Sequence, residues 1–140
     1  MPREKPDTVT GSLAAGVVQS PARRSILAVD DEKNFLTLLD WFLSQKGYEV
    51  HTASNVDEAL LLAQERIFDA ALLDIKIGSS SDGLFLLDEL THRLPGIKVI
   101  MMTAYPTVST IKQAFDKGAS RCLTKPVDLP ELSEAIKALL

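Results

Sequence analysis

Ser25-Ile26-Leu27-Ala28-Val29-Asp30-Asp31 is the stretch whose reading decides the fold. Four apolar residues run without a polar break and stop on two carboxylates. A short unbroken apolar run is the pattern of a strand buried on both faces, the usual situation in a parallel sheet. The same grammar returns downstream. Asp69-Ala70-Ala71-Leu72-Leu73-Asp74 and Val99-Ile100-Met101-Met102 are again short apolar runs, one ending on Asp74 and the other followed by Thr103.

Between these runs the apolar period changes. Phe35, Leu38, Leu39 and Phe42 recur at helical spacing and stop near Gly47. Tyr48, Val50 and Thr52 alternate, which predicts an edge strand with one wetter face. Asn55 and Glu58 suit the cap of a second helix running through Ala59–Ala63, with Glu58 reaching back. Leu84, Leu87 and Leu90 mark a third helix closed by Pro95-Gly96. Val108, Ile111 and Phe115 mark a fourth, ended by Gly118. Arg121–Thr124 reads as a fifth strand, and Asp128-x-x-Glu131 as the cap of a last helix carrying Leu132, Ile136 and Leu139. The alternation predicts (βα)5: an α/β fold with a parallel sheet covered on both faces. Right-handed crossovers then leave only a few doubly wound strand orders.

Residues 1–24 are broken by Pro2, Pro6, Gly11, Gly16 and Pro21, and read as a flexible leader before one domain over residues 25–140. The leading 25 residues carry Arg3, Lys5, Arg23 and Arg24 against Glu4 and Asp7, a surplus of +2; with a net charge of −4, the rest carries −6. An acidic body argues against direct nucleic-acid binding, which needs clustered Lys and Arg. No apolar run approaches the ~20 residues of a membrane helix. Leu13–Val18 is too short for a secretory segment and its arginines follow it, so the expected location is the cytoplasm. Cys122 is the only cysteine, which excludes an intrachain disulfide and reads as a packed strand thiol.

Ligands of doubly wound sheets bind beyond the carboxyl ends of the strands. Asp30 and Asp31 follow the first strand, Asp74 ends the third, Thr103 follows the fourth and Lys125 the fifth. Taken singly, each has an ordinary explanation: Asp30 or Asp31 as a helix cap, Asp74 as a loop aspartate, Lys125 as a surface lysine. Placement of all five on one rim makes coincidence a poor account. Three carboxylates in one crevice repel, since two like charges ~4 Å apart cost about 4 kcal/mol at an effective dielectric of ~20. A cation relieves this, and an all-oxygen carboxylate set with open positions suits Mg²⁺. Lys125 and Thr103 add a cation and a hydroxyl, so the set is suited to phosphoryl transfer with Asp74 as the nucleophile.

With Val29-Asp30-Asp31-Glu32, Leu72-Leu73-Asp74-Ile75, Met102-Thr103-Ala104 and Leu123-Thr124-Lys125-Pro126, the chain resembles the receiver domains of two-component response regulators over about residues 25–140. The resemblance implies a flavodoxin-like three-layer sandwich with strand order 2-1-3-4-5. It implies Asp74 as phosphoacceptor from a sensor histidine kinase or phosphotransfer protein. Mg²⁺ is then held by Asp30, Asp31, Asp74 and the Lys76 backbone carbonyl. Lys125 and Thr103 are the implied phosphoryl-binding and switch residues, and the Lys125-Pro126 bond is expected to be cis. The implied role is a signalling switch, catalysing only its own phosphorylation and dephosphorylation. It would act on an output partner or domain, with helix 4, strand 5 and helix 5 as the readout and homodimer face.

Three positions depart from the family pattern. Where the family usually has an aromatic three residues before the lysine stands Cys122, too small to signal by a ring flip; Tyr105 is the aromatic left to take over that part. The loop Ile77-Gly78-Ser79-Ser80-Ser81-Asp82-Gly83 has glycine where the family has proline, which predicts a more mobile lip. Lys76 and Tyr105 occupy the positions that govern water access, and are expected to shield the acyl phosphate.

Three other functions compete. A haloacid-dehalogenase-like phosphatase needs an aspartate two residues after the nucleophile, where Lys76 stands. A flavodoxin-like FMN binder needs a Ser/Thr/Gly-rich loop in place of Asp30-Asp31-Glu32. A degenerate receiver, working only as an interaction module, has no need of the intact Asp74, Thr103 and Lys125.

Overall fold

Strands and helices alternate along the whole described chain: β1 (Ser25–Val29), α1 (Lys33–Gln45), β2 (Glu49–Ala53), α2 (Val56–Glu65), β3 (Ala70–Asp74), α3 (Asp82–Arg93), β4 (Lys98–Thr103), α4 (Val108–Asp116), β5 (Arg121–Thr124) and α5 (Leu129–Leu139). The computed structural model describes residues 23–78 and 82–140. The expected leader up to residue 22, and Ser79–Ser81 of the expected lip, lie outside the described residues.

All strand pairs are parallel, in the order β2-β1-β3-β4-β5. Alternation along each strand sends residues to two cores. Ile26, Ala28, Leu72, Ile100 and Met102 pack with α1 and α5; Leu27, Val29, Leu73, Val99 and Met101 pack with α2, α3 and α4. This is the expected three-layer doubly wound sandwich. Among the described residues no helix is long and apolar enough to cross a membrane.

The facing of α1 and of α4 needs correction. The core stripe of α1 is Leu36, Leu39 and Leu43, with Phe35 and Phe42 partly buried and Leu38 exposed. Apolar residues cover more than half of this helix's circumference, so periodicity leaves its facing undetermined until α1 packs. β2 is the expected edge strand, paired with β1 alone, with Val50 buried and Thr52 exposed. On α4, Val108 is 86% exposed and Phe115 49%, and Ala114 is the buried contact. The helix lies beside β5, a short half-exposed edge strand, so only one narrow side has anything to pack against.

Caps differ too. Asn55 Oδ1 accepts from the Glu58 N–H at 2.8 Å as expected, while Glu58 reaches back to the N–H of Ser54 rather than of Asn55. Asp128 makes no side-chain cap bond; Pro130 in the first turn of α5 has no N–H, so one orphan donor is already removed. The capping box of α4, Thr107 with Thr110, had no counterpart in the sequence reading.

Candidate functional site

Because every strand is parallel, all five carboxyl ends face one rim, and the polar residues that follow the strands meet there. Asp30 is fully buried, Asp74 and Thr103 nearly so, Lys125 is partly buried and Asp31 is exposed. Asp30, Asp31 and Asp74 each present a carboxylate oxygen within 4.8 Å of the others. Edge strand β2 contributes no charged group here; its Ala53 carbonyl accepts from the Asp30 N–H at 3.2 Å.

Each side chain is held. Lys125 Nζ donates to Asp30 Oδ2 at 2.6 Å and to Asp74 Oδ2 at 3.1 Å. Its ammonium also lies 5.1 Å from the centre of the Phe35 ring. Asp30 Oδ1 accepts from the Glu32 N–H at 2.9 Å, Asp74 Oδ1 from the Lys76 N–H at 3.2 Å, and Asp31 Oδ2 from the Gly78 N–H at 3.1 Å. Thr103 Oγ1 accepts from the Tyr105 N–H at 3.1 Å. The Lys125 N–H donates to the Thr103 carbonyl at 2.8 Å, tying β5 to β4 at the rim, and the Lys125-Pro126 bond is cis.

The charges do not balance. Three carboxylates face one ammonium, leaving two negative charges in excess. Burial pushes the Asp74 carboxyl above its usual range; Lys125 pulls it down and the charge of Asp30 adds to the rise. For Lys125 burial works against the ammonium, but its hydrogen bond to Asp30 and the charges of both carboxylates hold it above its usual value. A hard divalent cation fits this donor set: all-oxygen ligands, a charge deficit of matching size, and an exposed approach at Asp31.

Lys76 and Tyr105 line a cleft of about 480 Å³ that also includes Asp31, Asp74, Thr103 and Thr110. The Lys76 side chain is exposed and Tyr105 is 77% exposed, so neither covers Asp74 in this conformation. Cys122 is partly buried against the α2–α3–α4 side of the core, and burial pushes its thiol upward, away from the thiolate that reactivity needs.

Two residues of the site were not singled out in sequence. Phe35 reads as a core position, and nothing local links it to a lysine 90 residues on. Gly83 lies in the first turn of α3, where a Cβ would collide with the Asp74 carbonyl oxygen and stand 2.7 Å from Ile75 Cα. Its own N–H donates to the Ile75 carbonyl at 2.9 Å. A glycine placed inside a helix against its propensity is the signal that could have found it.

Comparison with known proteins agrees with this geometry. The response regulator receiver domain family matches residues 26–137. The transcriptional regulatory protein ZraR of Escherichia coli O157:H7 is 36% identical over 115 residues, covering 82% of this chain and 26% of ZraR. The chain thus spans about a quarter of the length of the first curated relatives it matches. A CheY-like receiver domain protein from Methanospirillum hungatei JF-1 superposes with a TM-score of 0.80 at 33% identity, covering 84% of this chain and 93% of that one. A response regulator from Burkholderia pseudomallei, solved with a phosphorylated aspartic acid, calcium ion and citrate, gives 0.74 at 30% identity, covering 82% and 71%. With an Asp30–Asp74–Lys125 cluster at the carboxyl rim of a 2-1-3-4-5 sheet and a family match over most of its length, this chain belongs to the response regulator receiver domain family.

Proposed function

We propose that the domain over residues 25–140, behind a leader over residues 1–24, is a phosphorelay switch that accepts a phosphoryl group on Asp74. The observation that carries this is the charge imbalance at the rim: three carboxylates against one lysine, poised for a cation and a phosphoryl group. The phosphorylated aspartate of the Burkholderia relative supports the same chemistry. Asp30, Asp31, Asp74 and the Lys76 carbonyl would hold Mg²⁺, which supplies charge neutralisation for the transferring group. An Asp74 carboxylate oxygen attacks phosphorus; the bond to the donor's imidazole nitrogen breaks, and that nitrogen keeps the electron pair. Lys125 exchanges its Asp74 contact for a phosphoryl oxygen. Thr103 turns its hydroxyl to donate to another.

The donor is a sensor histidine kinase or a phosphotransfer protein, and the setting is the cytoplasm. Phosphorylation brings a charge near −2 to the rim. Moving a two-state switch from 1:99 to 99:1 needs about 5.5 kcal/mol, whereas one charge-assisted hydrogen bond supplies ~1.5–3 kcal/mol. Thr103 and Lys125 must therefore act together. The readout is the face of α4, β5 and α5, where exposed Val108 and Phe115 suit an output partner, an output domain or a second copy; the acidic body leaves nucleic acid to another part. Lys76 and Tyr105 close over the acyl phosphate and lengthen its life, a role that an unchanged dephosphorylation half-life in Lys76→Ala would remove.

The deciding experiment is acetyl phosphate labelling with Mg²⁺. Wild type should gain an acid-stable, hydroxylamine-labile phosphoryl group and Asp74→Asn none. An unlabelled wild type overturns the reading in favour of a phosphorylation-independent interaction module.

A further inference from the structure

We infer that Phe35 is a positioning residue for Lys125: its ring face holds the ammonium in the crevice when the carboxylates give up their share of it. The inference rests on the phosphoacceptor reading and adds a residue to it. Lys125 Nζ has two carboxylate partners, Asp30 and Asp74, and the Phe35 ring 5.1 Å away as a third neighbour. A cation within about 6 Å of a ring centre is attracted by the ring's quadrupole, more strongly where water is excluded. Phe35 stands in the first turn of α1, the helix that follows Asp30 and Asp31, and packs partly buried against the α1–α5 side of the core. One short stretch of chain thus carries both the carboxylates and the ring.

The three attractions respond differently to a cation. Were Asp30 and Asp74 to share their charge with a divalent ion, they would grip the ammonium less, and their hold alone would let Lys125 leave for solvent. The hold of Phe35 depends on neither carboxylate. Lys125 therefore stays aimed into the crevice, and ordering its long side chain is not charged against phosphoryl binding. The far end of α1 offers a natural control. Lys46 lies 5.3 Å from the ring of Phe42, but that pair is four residues apart on one helix and distant from the rim.

Fluorination draws electron density from a ring face with little change of shape. Phe35 would be replaced by mono-, di- and trifluorophenylalanine, with the same series at Phe42. Beryllofluoride affinity in Mg²⁺ should fall stepwise for the Phe35 series, on the order of tenfold in all. The Phe42 series should stay flat. Phe35→Leu should behave like the most fluorinated ring and Phe35→Trp like wild type. In the metal-free protein, the Lys125 Hε resonances should be shifted upfield by the ring and lose that shift in Phe35→Leu. Normal wild-type affinity with a flat Phe35 series overturns the positioning role alone. Absence of wild-type binding overturns the phosphoacceptor reading, and this inference with it.

Discussion

The two rims of the same sheet make opposite use of aspartate. At the amino rim, Asp69 Oδ2 accepts from the Ser25 N–H at 2.8 Å, and its other oxygen lies 3.9 Å from Arg24. Its backbone accepts from the Lys98 N–H and donates to the Ser25 carbonyl, so one residue stitches β1, β3 and β4 together. There the Asp69 carboxylate has a cation of its own in Arg24. At the carboxyl rim three carboxylates share one lysine, and two of the three are buried. The Asp69–Arg24 pair is matched in charge and structural. Its opposite number leaves carboxylate charge unmatched by Lys125, and local imbalance of this kind is where function should be sought.

Substitutions can break or sharpen this contrast. The largest effect should come from Lys125→Met, which leaves Asp30 and Asp74 without their cation. Breaking a buried pair costs about 3–5 kcal/mol, so chemical denaturation of the metal-free variant should show a loss near 3 kcal/mol, much of it restored by Mg²⁺. An equal loss with and without Mg²⁺ would remove the claim that the rim leaves carboxylate charge unmatched.

Gly83→Ala should follow, at about 2–3 kcal/mol, because its Cβ meets backbone at Asp74 and Ile75 that cannot step aside as a side chain would. Mg²⁺ should not rescue it, which separates packing from charge.

Asp74→Asn should do the reverse and stabilise the metal-free protein. Burial, the first cause, raises the folded pKa of Asp74 above its unfolded value, so the native state favours the acid form. That contribution is fully present below the unfolded pKa, near 3.9, and is lost as pH rises through the folded one. The gain of Asp74→Asn over wild type should therefore be present at neutral pH and fade in acid. Thermal melts across pH would read it, and a constant difference would contradict it. Least of all, Asp69→Asn should cost about 1 kcal/mol and leave Mg²⁺ binding and acetyl phosphate labelling unchanged.

Much of the site was legible because strand ends can be read. A buried strand is a short apolar run, and the residue that breaks the run marks the rim; Asp30, Asp74 and Thr103 declare themselves this way, with Asp31 and Lys125 one residue beyond such a break. The facing of helices was less legible. Leu38 and Val108 carry the same periodic signal as Leu39 and Ile111, and which side packs depends on what lies beneath. Phe35 shows the limit: its spacing says core, and only the crossing of α1 past the loop after β5 brings it under an ammonium.

Sequence by itself determined the alternation of elements, the parallel sheet and the five polar groups at one rim, since periodicity and strand ends are local properties. Tertiary structure decided what those groups do to one another. That Lys125 bonds Asp30 more closely than Asp74, that Asp31 stays open, that Gly83 must lack a side chain and that α4 turns Val108 and Phe115 outward follow from distances between residues far apart in the chain. Electrostatic and steric energies depend on those distances, and no spacing along the sequence encodes them.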